Sequence, residues 1–156
     1  MASMTNEPTI VEKEEVYLLG MVGQEGMESE GEFLSEYVLH KLFFPNMKKL
    51  EEYRQGDGLY GIPHQGYMFA VPTGITGVPE DAPEGAEWRT TPAGRYAVFN
   101  TTARALGNKA NEMVRTWFSE QQEYERKVDA FEIEYYPPEC KGADSQMEVW
   151  IPVEKR

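Results

Sequence analysis

The chain is poor in the groups that most catalytic and metal-binding arrangements need. Its 156 residues include one cysteine, Cys140, and two histidines, His40 and His64. A single thiol excludes an internal disulfide and a multi-thiolate metal site. Positive charge is also scarce: 15 Lys and Arg stand against 27 Asp and Glu, a net charge of -12. Such a surface repels phosphate backbones and anionic lipid, so no direct nucleic-acid partner and no membrane partner is expected. No stretch approaches the roughly 20 apolar residues that span a bilayer, and Met1 to Glu15 is polar and acidic where a secretory signal is basic and then apolar. A cytoplasmic protein is expected. A nucleophile elbow, a phosphate-cradling glycine loop, a dinucleotide fingerprint and a metal-ligand cluster are all missing, which weakens the case for an enzyme and leaves no cofactor to expect.

What is present is a layout used twice. The length suits one domain with its own core, preceded by a flexible acidic tail over 1–14. Within 15–156, two stretches each read as strand, helix, strand, strand: one over 16–74 and one over 94–153. Glu15 to Val22 is an apolar run ended by Gly23 and reads as a strand. Leu34, Val38, Leu42, Met47 and Leu50 recur at helical spacing, with a kink or a break expected at Pro45. Leu59 to Pro63 and Tyr67 to Pro72 read as a strand pair joined at His64-Gln65-Gly66. In the second stretch Gly94 to Phe99 has strand composition, and Leu106, Ala110, Met113, Val114 and Trp117 mark one face of a helix. Between the copies, 75–92 reads as an irregular linking loop that closes over a site.

Alternation along the last strands assigns faces. Phe131, Ile133 and Tyr135 alternate with Glu132, Glu134 and Tyr136, and Val149, Ile151 and Val153 alternate with Glu148, Trp150 and Pro152. With both aliphatic sets under the helices, the opposite face carries Glu134, Tyr136 and Trp150. Overlaying Leu59-Tyr60-Gly61-Ile62-Pro63 on Ile133-Glu134-Tyr135-Tyr136-Pro137, and Ala70-Val71-Pro72 on Trp150-Ile151-Pro152, adds Tyr60, Ile62, Met68 and Ala70 to that face. The expected fold class is α+β: duplicated strand-helix-strand-strand units forming an antiparallel sheet, with helices on one face and a central ligand groove on the other.

Gly94-Arg95-Tyr96-Ala97-Val98-Phe99, the Trp117-Phe118 pair, Ile133-Glu134-Tyr135-Tyr136-Pro137 and Glu148-Val149-Trp150-Ile151-Pro152-Val153 resemble the GyrI-like small-molecule-binding family, also known as the bacterial transcription-activator effector-binding domain. The resemblance is strongest from Trp88 onward. It implies a groove that binds bulky, often cationic, hydrophobic compounds against a central Glu, here Glu134, with Tyr136 and Trp150 beside it. Family members often carry a glycine shortly after the first strand of the second copy, where this chain reads Asn100-Thr101-Thr102-Ala103, so a different groove rim is implied. Regulators of the family carry an amino-terminal helix-turn-helix domain. About fifteen residues precede the first strand here, so a stand-alone binding protein is expected, with room for a protein partner or a homodimer.

The chemistry agrees with that implication. A carboxylate buried without a partner costs several kcal/mol, so an acid on an aromatic floor must be protonated, hydrogen-bonded or met by a cation. Each good cation-π contact adds about 0.5 to 2 kcal/mol. The alternative reading is a hydrolase of the same fold acting on strained, cyclopropane-containing, DNA-alkylating compounds, with Glu134 orienting water and Tyr136 or Tyr60 polarising the electrophile. A haem role, through a related fold, has only His40 and His64 as ligands. His64 reads as an exposed turn residue, Trp88 and Trp117 as core, Glu132 and Glu148 as solvated acids, and Cys140 as inert among acidic neighbours.

Overall fold

The computed structural model describes residues 7–105, 108–142 and 144–156. Its strands are β1 (Thr9–Lys13), β2 (Val16–Gly23), β3 (Leu59–Ile62), β4 (Tyr67–Thr73), β5 (Ala86–Thr91), β6 (Gly94–Thr102), β7 (Tyr124–Arg126), β8 (Ile133–Tyr136) and β9 (Gln146–Lys155). Eight of them form one antiparallel sheet in the order β1-β6-β9-β8-β3-β4-β2-β5, and β7 pairs with the far end of β9. The two copies are legible in this order. One contributes β2, β3 and β4, the other β6, β8 and β9, arranged as β6-β9-β8 against β3-β4-β2, so that the seam between them is the β8–β3 pair. The α+β class and the antiparallel sheet expected from the sequence are found, but the groove expected on the face away from the helices is not there: the cleft opens on the helix-bearing face.

The helix of the first copy is one run made of α1 (Leu34–Tyr37), a π-helical segment over Val38–Phe43, and α2 (Phe44–Glu51). Pro45 does not break it. Proline lacks an N–H and crowds the carbonyl four residues back. The run accommodates this by widening just ahead of it, where the Phe44 N–H reaches the Leu39 carbonyl. Asn46 then donates its side-chain amide to the Leu42 carbonyl at 2.8 Å. In the second copy a short 3-10 turn (Ala103–Ala105) leads to α3 (Asn108–Glu120), which buries Ala110 and Val114; Leu106 lies outside the described residues.

Both helical runs lie on the same face of the sheet. Val38, Phe43 and Leu50 pack on Leu19, Met21, Tyr67, Phe69 and Val71, and Val114 packs on Ala97, Phe99, Val149, Ile151 and Val153. The other face carries its own buried cluster of Leu18, Tyr60, Ile62, Met68, Ala70, Tyr96, Val98, Ile133 and Trp150. Apolar burial on both faces is the main contribution to stability. It also explains why alternation in the sequence could not tell one face from the other.

Two expectations about irregular segments are corrected. The tail over 1–14 is not all free, because Thr9–Lys13 adds β1 to the edge of β6. The linking loop over 75–92 ends in β5, which pairs with β2 over Ala86–Thr91. Trp88 anchors it by donating its indole N–H to the Ile75 carbonyl at 2.9 Å. No described helix is long and apolar enough to cross a membrane.

Candidate functional site

One row of cross-strand partners crosses the sheet from copy to copy: Met21, Phe69, Gly61, Glu134, Val149, Phe99. Directly paired residues in an antiparallel sheet point to the same side. Since Met21, Phe69, Val149 and Phe99 lie under the helices, so does Glu134. The acid therefore sits at the middle of the sheet on the helix-bearing face, in the trough between the two helical runs.

A cleft of about 540 Å³ opens above it, within the 300 to 1,000 Å³ typical of small-molecule pockets. Tyr67, Phe69, Glu134 and Tyr136 form its floor, Ser35, Glu36 and Leu39 one wall, and Ala103 and Arg104 the other. Phe33 stands at the rim with 74% of its surface exposed. The floor is a continuous aromatic surface: the Tyr67 and Phe69 rings are 5.1 Å apart and the Phe69 and Tyr136 rings 5.7 Å.

Both floor tyrosines serve the acid. The hydroxyls of Tyr67 and Tyr136 each donate to Glu134 Oε1, the latter at 3.0 Å. Gly61 makes the first of these bonds possible. A Cβ there would overlap the Tyr67 hydroxyl and lie 2.9 Å from Glu134 Oε1, so a side chain opposite the acid would displace the pair. Burial pushes the Glu134 carboxyl from an ordinary 4.5 up to about 7, against the pull of the two tyrosine hydrogen bonds and with a smaller push from Glu132. The same burial, with Glu134 adjacent, drives both tyrosine hydroxyls well above their usual range. Among the described residues no Lys, Arg or His is paired with Glu134. The rim cation Arg104 is tied to Asp144 at 2.6 Å.

The seven residues expected to share a groove are split by the sheet. Glu134 and Tyr136 line the cleft. Tyr60, Ile62, Met68, Ala70 and Trp150 lie on the other face, each at most 6% exposed, inside a packed cluster. There are two causes: Ile133 of β8 faces away from the helices while Val149 and Ile151 of β9 face them, which puts Trp150, Met68 and Ala70 on the face opposite Glu134, and the overlay of β3 on β8 is slipped by one residue, which misplaces Tyr60 and Ile62. Tyr60 pairs with Tyr135, and Gly61 with Glu134. A shift of one exchanges the two faces of a strand. The overlay of Ala70-Val71 on Trp150-Ile151 keeps the faces matched: Ala70 and Trp150 share one cluster, and Val71 and Ile151 both lie under helices. Tyr67, Gly61 and the helix-side walls were not singled out by sequence reasoning. A glycine inside the short strand Leu59-Tyr60-Gly61-Ile62 was the available signal, since it marks close approach of another group.

The opposite face holds an aromatic, acidic and cationic constellation of its own, closed by the chain itself. Trp150 stacks on Tyr135 with centroids 5.2 Å apart and donates its indole N–H to Glu148 at 2.7 Å. Lys13, from β1, places its ammonium 3.7 Å from the indole ring centroid. His64 is exposed and stacked on Phe131, and His40 is exposed beside Phe44. Trp117 packs edge-on against Phe99. Cys140 is a free, half-buried thiol. Among the described residues no three His, Cys, Asp or Glu side chains gather as metal ligands.

Comparisons with known proteins identify the family and the fold. The sequence pattern of a family described as Cass2, integron-associated effector binding protein, matches residues 9–153. No curated protein matches the chain. Among solved structures, SAV2435 bound to tetraphenylphosphonium is similar with a TM-score of 0.65 at 18% identity, covering 95% of this chain and 94% of that one. The Vibrio cholerae integron cassette protein VCH_CASS2 is similar with a TM-score of 0.60 at 19% identity, covering 95% and 96%. The EcmrR C-terminal domain gives 0.62 at 13% identity, covering 96% and 98%. At these identities the solved structures establish a shared fold.

Proposed function

The chain belongs to the Cass2 family of integron-associated effector binding proteins, and from that premise we propose that its effector is a bulky lipophilic cation held in the cleft over Glu134. One observation carries the proposal: a carboxyl at the centre of an aromatic floor, raised to about 7 by burial and paired with no cation of the chain among the described residues. A bound cation supplies the missing charge. It favours the ionised acid, and the faces of Tyr67, Phe69 and Tyr136 add apolar area and cation-π attraction. Glu36 at the rim adds negative potential at the entrance. SAV2435, similar in fold, is bound to tetraphenylphosphonium, a ligand of the kind this floor suits.

The hydrolytic alternative is less well supported. Both floor tyrosines direct their hydroxyls at the carboxylate, an arrangement that holds charge in place and leaves neither hydroxyl aimed at a substrate oxygen. The net charge of -12 argues that any link to nucleic acid runs through a partner protein.

Calorimetric titration with tetraphenylphosphonium and with neutral triphenylphosphine oxide tests the proposal. Glu134→Gln is expected to weaken the cation by more than about ten-fold, or 1.4 kcal/mol, and the neutral compound far less. Equal losses for the two compounds would remove the charge from the explanation.

A further inference from the structure

A second cavity of about 350 Å³ adjoins the first at Tyr136. Its walls include Met47, Leu59, Pro137, Pro138 and Cys140, and Tyr136 is the one residue that lines both cavities. Tyr136 is the last residue of β8, with its backbone paired to Leu59 and its hydroxyl donated to Glu134 at 3.0 Å. Its ring thus lies on the boundary, packed on Phe69 and hydrogen-bonded to the acid that the proposed ligand engages.

Of the charged groups at the edge of this second space, Arg54 and Glu51 are paired with each other, and Asp57 is exposed to solvent. Arg54 makes two bonds to Glu51, at 2.8 and 2.7 Å, and donates to the Gly56 and Gly58 carbonyls at 2.9 and 2.8 Å. The Cys140 N–H donates to the Pro137 carbonyl at 2.9 Å. Away from that charged edge the lining is apolar: a thioether, a leucine, two proline rings and a thiol. Such walls suit hydrocarbon and offer little to a second charged group.

We propose that the cavity behind Tyr136 is a tail subsite, so that the protein takes elongated amphiphilic cations with the cationic head over Glu134 and an apolar chain passing Tyr136 towards Cys140. The inference rests on the cationic reading of the main cleft and extends it to ligand shape. Passage of the chain requires the Tyr136 ring to turn aside and give up its hydrogen bond to Glu134.

Cys140 is the only thiol in the sequence and reports directly on the subsite. Its alkylation by N-ethylmaleimide is followed by mass spectrometry with tetraphenylphosphonium or with dodecyltriphenylphosphonium below its micelle concentration. At a free concentration ten times its Kd, the long probe is expected to slow alkylation about ten-fold, in proportion to the unliganded fraction. The compact probe is expected to leave the rate within about two-fold, because it fills only the first cleft. Met47→Trp, at a partly exposed helix position that fills the second cavity, is expected to abolish the protection and to bring the long probe's affinity down to that of the compact one. Tyr136→Phe keeps the ring, removes its bond to Glu134 and is expected to widen the long probe's advantage. Binding of both probes with equal protection, or with none, overturns the subsite while leaving the main cleft intact. Binding of neither probe overturns the cationic reading and the subsite together.

Discussion

Glu134→Gln should make the empty protein more stable in mildly alkaline solution even as it weakens cation binding. The folded state raises this carboxyl from 4.5 to about 7, so it holds the proton more tightly than the unfolded chain does. For an acid shifted in this direction, stability is full below the unfolded value, falls as the pH rises between the two values, and reaches its full penalty above the folded one. At about 1.4 kcal/mol per unit the penalty is roughly 3 kcal/mol by pH 8, shrinking to about 1 kcal/mol at pH 5.5. Glutamine carries no charge and keeps a carbonyl that accepts from Tyr67 and Tyr136, so the variant escapes most of the penalty. Urea denaturation of both proteins at pH 5.5 and pH 8 isolates the effect, because every other titrating group cancels in the difference. A variant no more stable than the parent at pH 8, or a gap that does not change between the two conditions, would refute the reasoning that Glu134 is a destabilising acid kept for its charge.

Three further outcomes are expected. Gly61→Ala places a methyl where the Tyr67 hydroxyl meets Glu134; it should lower stability by about 1 to 3 kcal/mol and weaken tetraphenylphosphonium in a calorimetric titration, the reverse of the usual gain from glycine to alanine in a strand. Tyr67→Phe removes a hydrogen bond that holds the Glu134 carboxyl down; the pH midpoint above which the cation binds tightly should move upward, read as Kd against pH between 5.5 and 9. Lys13→Met keeps the aliphatic stem and removes the ammonium above Trp150; it should shift the indole emission, with little effect on ligand affinity because the contact lies on the face away from the cleft.

Much of the architecture was legible in the sequence because the signals were local. Apolar runs closed by glycine or proline marked β2, β4 and β6, and the stripe through Ala110, Val114 and Trp117 marked α3. What lay beyond reach was register. The row from Gly61 to Glu134 to Val149 depends on how β3, β8 and β9 slide against one another, and no residue on its own specifies that. In β9 the aliphatic set does face the helices, whereas in β8 it is Glu134 and Tyr136 that do, while Ile133 joins the opposite cluster. Two apolar faces gave the alternation nothing to discriminate. Both irregular segments were misread for a similar reason. Thr9–Lys13 and Ala86–Thr91 are short runs of mixed polarity, made into strands by the free edges of β6 and β2.

The seam between β3 and β8 assigns unlike tasks to two segments that hold matching places in the two copies. From the first copy comes Gly61, which contributes emptiness; from the second comes Glu134, which contributes charge, and each is useless alone. Neither half severed from its sibling would carry a complete recognition centre, so the two copies work only as an indivisible whole.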